Sequence, residues 1–145
     1  MRFLPRFETV SFAHHHVALS VTDLADSVCF YGAFGFEEVH RYDDPDGAFS
    51  ISHLKLGEAV LELFAYRDHR PAPSSASELA TDLPRVGTKH FGLRVASVED
   101  AKATLADRGI EALGDIREGK KKVRYFFVKD PSGNFVELVQ DDRGL

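Results

Sequence analysis

Four residues carry the chemistry written into this sequence: His16, Glu62, His90 and Glu137. They come as two pairs. His16-Val17-Ala18-Leu19-Ser20-Val21-Thr22-Asp23-Leu24 and His90-Phe91-Gly92-Leu93-Arg94-Val95-Ala96-Ser97-Val98 both read His-x-x-Leu-x-Val-x-(Asp/Ser)-apolar. Val60-Leu61-Glu62-Leu63-Phe64 and Phe135-Val136-Glu137-Leu138-Val139 each set a Glu in an apolar run. His16 and His90 are 74 positions apart and Glu62 and Glu137 are 75 apart, so each half opens on a His and closes on a Glu. A carboxylate in an apolar strand is costly unless it is paired or binds a cation. Two such carboxylates brought close would raise each other's pKa; a divalent cation removes that conflict and keeps the imidazoles neutral. Two nitrogen and two oxygen donors suit Zn, Ni, Co, Mn or Fe. The expectation is one divalent metal ion per site, built by a duplicated module.

The elements that must position these residues repeat as well. In the first half a strand from His15 to Val21 runs into a helix capped by Thr22 or Asp23, with Leu24, Val28 and Tyr31 at helical spacing. Strands follow at Phe36 to Tyr42, Ala48 to Leu56 and Ala59 to Tyr66, with Asp43-Asp44-Pro45-Asp46-Gly47 as a turn. Residues 67–87 carry Pro71, Pro73 and Pro84 and read as a linker with one helical turn near Glu78. The second half gives a strand at His90 to Val95 and a helix opened by Ser97-Val98-Glu99-Asp100 and closed by Gly109. Strands at Ile110 to Arg117, Val123 to Lys129 and Asn134 to Gln140 complete it, the last two joined by Asp130-Pro131-Ser132-Gly133. The fold class is α+β. One domain, 1–145, is expected to hold module one at about 13–66, the linker at 67–87 and module two at about 88–140.

Strand alternation sorts the faces. His16 shares a side with Ala18 and Ser20, His90 with Gly92 and Arg94, Glu62 with Val60 and Phe64, and Glu137 with Phe135 and Val139. The opposite sides are apolar and should pack on the helices. All four polar residues then point away from the helix layer, and where the two sheets together form one cleft they converge within it. Arg94, Phe64, Tyr66, Phe135 and Arg124 are candidate substrate contacts, Arg124 as part of a basic cluster with Lys120, Lys121 and Lys122. His53 lies in an alternating strand and could face the cleft; His14, His15, His40 and His69 suggest no partner.

Composition excludes several classes. The net charge of −5 lacks the basic footprint of a nucleic-acid binder. No apolar run approaches the roughly 18 residues of a membrane span, and the start of the chain has no long apolar leader segment. The single cysteine, Cys29, excludes an internal disulfide framework and fits a cytoplasmic protein.

These motifs, with Ser27 to Tyr31 and Gly35-Phe36, Ala59 to Leu63, Lys89 to Leu93 and Asp130 to Leu138, resemble the vicinal oxygen chelate superfamily, also called the glyoxalase/bleomycin-resistance/dioxygenase superfamily. The resemblance covers residues 14–140. It implies two tandem βαβββ modules, usually completed in a homodimer, and a metal with two positions open to vicinal oxygens of a small-molecule substrate. Glyoxalase I (lactoylglutathione lyase) is the nearest catalytic pattern, with its metal ligands falling on His16, Glu62, His90 and Glu137. By that likeness the metal polarises the substrate oxygens and stabilises an enediolate, and Glu137, or else Glu62, moves a proton between adjacent carbons. Ser20 and Tyr66 stand where bacterial glyoxalase I tends to carry the Arg and Asn that contact glutathione, so a related vicinal-oxygen substrate is expected. The other readings are an extradiol-type dioxygenase and a metal-free binding protein of the bleomycin-resistance type.

Overall fold

The protein is described by a computed structural model, which covers residues 10–120 and 122–145. Two four-stranded mixed sheets are built in the same way. In the first, β1 (Val17–Val21) is followed by helix α1 (Leu24–Gly32), then β2 (Glu37–Asp43), β3 (Phe49–Leu56) and β4 (Ala59–Tyr66). In the second, β5 (His90–Arg94) is followed by α3 (Val98–Asp107), β6 (Arg117–Gly119), β7 (Val123–Lys129) and β8 (Phe135–Asp141). The strand orders are β1-β4-β3-β2 and β5-β8-β7-β6, so each sheet closes by laying its last strand parallel to its first. Two βαβββ modules result, as the repeated pattern predicts. A 3-10 turn (Ser74–Ala76) and a short helix α2 (Leu79–Asp82) lie in the connection between them.

The local signals explain where the helices begin. Asp23 is the N-cap of α1, its carboxylate accepting from Asp26 N at 2.8 Å; Ser97 caps α3, accepting from Asp100 N at 3.2 Å. Gly109, in the left-handed region at φ 79°, turns the chain out of α3.

One expected strand is much reduced. Residues 110–116 are irregular and β6 begins only at Arg117. Gly114 adopts φ 90° and donates back to Ala112 O, a turn that breaks the ladder just after Leu113 N bonds to Phe127 O. Lys121, the middle of the proposed basic cluster, lies outside the described residues.

The helix-facing sides of both sheets form one core. Leu54, Leu61 and Leu63 from module one join Phe126, Val128, Val136 and Leu138 from module two, with Tyr31 between them. Tyr31 is fully buried, packed among Phe34, Phe36 and Phe91, and its hydroxyl donates to Asp130 Oδ2 at 2.9 Å. Burial, and then the adjacent Asp130 carboxylate, push the Tyr31 hydroxyl well above the ordinary phenol range, so it remains a donor. Around the same turn Ser132 Oγ accepts from Thr22 N at 2.8 Å and Asn134 Nδ2 donates to Ser20 O at 3.1 Å. The 130–134 turn of module two is thereby latched to the C-terminal end of β1. Among the described residues, no helix is long and apolar enough to cross a membrane.

Candidate metal centre

Register brings each His to its own Glu. β1 lies parallel to β4 with Ala18 opposite Glu62, and β5 lies parallel to β8 with Gly92 opposite Glu137. His16, one step before β1, and His90, the first residue of β5, share the side on which the Glu side chains project. His16 Nε2 stands 3.6 Å from Glu62 Oε1, and His90 Nε2 stands 3.2 Å from Glu137 Oε2. Ligands about 2.1 Å from one metal at tetrahedral or octahedral angles are separated by about 3.0–3.4 Å. Both pairs are therefore spaced close to what two ligands of one cation need. The partners opposite the Glu residues are small: Ala18 in one half, and in the other Gly92, where an added Cβ would come within 3.7 Å of Glu137 Oε2.

The imidazoles are arranged in keeping with ligation through Nε2. His16 Nδ1 is 2.8 Å from His15 Nδ1. When His16 supplies the proton of that contact, its Nε2 keeps a lone pair facing Glu62. His90 Nδ1 is buried and has no hydrogen-bond partner, and the ring packs edge-on against Phe127 at 4.8 Å between centroids. Its one polar outlet is Nε2, towards Glu137. Glu62 has a further neighbour: His53, which strand alternation allowed to face the cleft, is paired in register with it on β3, and His53 Nε2 donates to Glu62 Oε2 at 2.6 Å. The donor set, two imidazoles and two partly buried carboxylates, fits a divalent transition metal.

The four residues do not meet in a single cleft of one chain. Among the described residues, no three His, Cys, Asp or Glu side chains are grouped so as to hold a metal ion. Each module carries one His–Glu pair on its own sheet face. The reason is packing: the two sheets share a core through their helix-facing sides, which leaves the ligand faces as separate surfaces.

The remaining candidates divide by strand parity. Phe64 and Tyr66 lie on the Glu62 face and, with Ser20, His69 and Arg70, line a cavity of about 290 Å³. Phe49 stacks on Tyr66 at 5.3 Å and Tyr42 packs on Phe49 at 5.8 Å, extending an aromatic strip that the sequence reading missed because it needs the hairpin register. Phe135 is buried directly beside His90, under the Lys129 ammonium. Arg94 shares the Glu137 face and borders a cavity of about 270 Å³, but its guanidinium donates to Asp141 O at 3.2 Å and Leu145 O at 2.7 Å. Arg124 is turned to the other side of β7, opposite Gln140, and pairs with Glu99 of α3. It is a strut between sheet and helix, not a residue of the Glu137 face.

Comparison with known proteins places this geometry. A search of curated proteins finds no match. Among solved structures, a glyoxalase family protein from Enterococcus faecalis is 28% identical with a TM-score of 0.75, covering 88% of this chain and 97% of its own. The trypanothione-dependent glyoxalase I of Leishmania major is 21% identical with a TM-score of 0.66, covering 90% of this chain and 88% of its own. A glyoxylase/bleomycin resistance protein/dioxygenase domain from Frankia sp. is 20% identical with a TM-score of 0.70, covering 91% and 99%. The fold is shared with all three. The sequence model of one family matches residues 13–138, so the duplicated strands, the paired His and Glu and the fold lead to one assignment: the chain belongs to the Glyoxalase/Bleomycin resistance protein/Dioxygenase superfamily.

Proposed function

We propose that this protein is a metal-dependent isomerase or lyase of the glyoxalase I type, acting on a small substrate with vicinal oxygens. The observation that carries the reading is the pair of half-sites, His16 with Glu62 and His90 with Glu137, each close to ligand spacing and only partly buried. A second copy of the chain, facing the first across a two-fold axis, completes the set, with His16 and Glu62 of one protomer meeting His90 and Glu137 of the other. The exposure of Tyr42 and Tyr66 on the Glu62 face of one chain, at 44% and 49%, is in keeping with a surface covered by such a partner or by substrate. The metal, when bound, supplies charge stabilisation to the oxygens of the substrate. The chain supplies everything else. Glu62 is tethered through Oε2 to His53, whereas the cross-strand neighbour of Glu137 is Phe127, which offers its carboxylate no donor. Glu137 is accordingly the carboxylate that takes a proton from one substrate carbon and returns it to the next, and Glu62 is the fixed one. Phe64, Tyr66 and Phe49 offer an apolar aromatic wall in place of a charged anchor for a peptide thiol.

The test is a panel of 2-oxoaldehyde–thiol adducts and α-hydroxycarbonyl compounds in deuterated water, read by deuterium entry at the carbon next to the carbonyl. Proton shuttling is expected to incorporate solvent deuterium. Glu137→Gln is expected to lower kcat/KM by about 10²–10⁴ with metal still bound, while Glu62→Gln chiefly lowers metal affinity. Oxygen consumption with catechols, and no deuterium entry with any carbonyl substrate, would overturn the reading in favour of ring-cleaving chemistry.

A further inference from the structure

The duplication is broken at one position that touches the ligands. On β3, His53 is the cross-strand partner of Glu62; on β7, the residue in the same relation to Glu137 is Phe127. In module two that Phe packs against His90 and makes no hydrogen bond to the carboxylate. In module one the imidazole divides the two oxygens of Glu62 between different tasks: Oε2 accepts from His53 Nε2 at 2.6 Å, and Oε1 faces His16 Nε2 at 3.6 Å. A carboxylate only accepts, so His53 Nε2 carries the hydrogen and has no lone pair to give a metal. His53 is itself steadied by His40, 5.7 Å away between ring centroids on β2.

We propose that His53 is a positioning residue that fixes Glu62 in a one-oxygen ligating orientation, with Oε1 turned to the metal. The proposal rests on the metal-centre reading above. Without the His53 hydrogen bond, the Glu62 side chain regains its rotamer freedom and either oxygen can face the cation. Outer partners of metal ligands act in this way and their loss costs about 10- to 100-fold in metal affinity.

The experiment is Co²⁺ titration of the full-length apoprotein, followed by visible d–d absorption and by competition with a chelator. It compares wild type, His53→Phe (the side chain module two uses), His53→Gln and His16→Ala. His53→Phe is expected to weaken Co²⁺ binding by about 10- to 100-fold and to alter the absorption envelope. His53→Gln, which keeps a donor at similar reach, is expected to restore the wild-type spectrum and bring the affinity back within a few-fold. Unchanged affinity and spectrum in His53→Phe would overturn the positioning role. Loss of Co²⁺ from His53→Gln as complete as from His16→Ala would overturn it too, making His53 a ligand. Failure of the wild-type protein itself to bind Co²⁺ would instead break the metal-centre reading. Should His53→Phe not fold, the His53→Gln spectrum decides between positioning and ligation.

Discussion

Replacing His16 and His90 together by Ala is expected to strip the protein of its metal. Natively purified, untagged wild-type protein should carry about one divalent ion per chain by elemental mass spectrometry, and the double variant close to none. Both imidazoles hold Nε2 towards a carboxylate, at 3.6 and 3.2 Å. Removing them leaves only the carboxylates, a donor set poorer in nitrogen and less able to hold a transition metal. The protein should stay folded, because His16 lies outside any strand and neither His belongs to the shared core. Metal retained in the double variant at wild-type stoichiometry would mean that other residues bind it.

The largest effect on stability is expected from Asp130→Ala. Asp130 is 4% exposed, yet both carboxylate oxygens are engaged. Oδ1 accepts from Ser132 N at 2.9 Å and Asn134 N at 2.8 Å; Oδ2 accepts from Tyr31 OH and Asn134 Nδ2, each at 2.9 Å. Truncation frees two turn amides and leaves the Tyr31 hydroxyl, fully buried, without its acceptor. An abandoned buried donor costs about 1–3 kcal/mol and bonds to a charged acceptor count more than neutral ones, so the whole change should cost about 3 kcal/mol or more. Tyr31→Phe removes only the hydroxyl and should cost less, about 1–2 kcal/mol. Urea unfolding at one fixed protein concentration checks both, since any self-association would make the midpoint move with concentration. An Asp130→Ala loss under about 0.5 kcal/mol would show that the latch between modules does not rest on this carboxylate.

The same residues show what could be read from the sequence. Face assignment worked where strand parity alone decides it: Ala18 beside His16 and Gly92 beside His90 are small in the sequence and stand opposite the Glu residues in the fold. The caps at Asp23 and Ser97 are local chemistry and were equally legible. For His53 the alternation showed only that it could face the cleft; its pairing with Glu62 depends on how the β3–β4 hairpin is registered, a relation between strands. Arg124 was hidden for the same reason: that it stands opposite Gln140, and so on the side away from Glu137, follows from the β7–β8 register. The strand expected over 110–117 failed on Gly114, whose positive φ is a backbone choice that an apolar pattern does not reveal. The single cleft failed for a longer-range reason. Which sides of two sheets pack together is set by the shared core around Tyr31, and that core draws the helix faces inward and leaves the ligand faces apart.

The central claim is therefore a metal centre divided between halves of two chains, and one mixing experiment tests it most directly. One variant, His16→Ala/Glu62→Gln, lacks the first half-site; the other, His90→Ala/Glu137→Gln, lacks the second. Each alone should bind essentially no metal. Co-expressed, they are expected to form mixed dimers in which one site has both halves intact and the other has neither. Random assortment then restores about a quarter of the wild-type metal per chain. If co-expression restores nothing, or if either variant alone keeps half the wild-type metal, the two half-sites do not join across the dimer as the account requires.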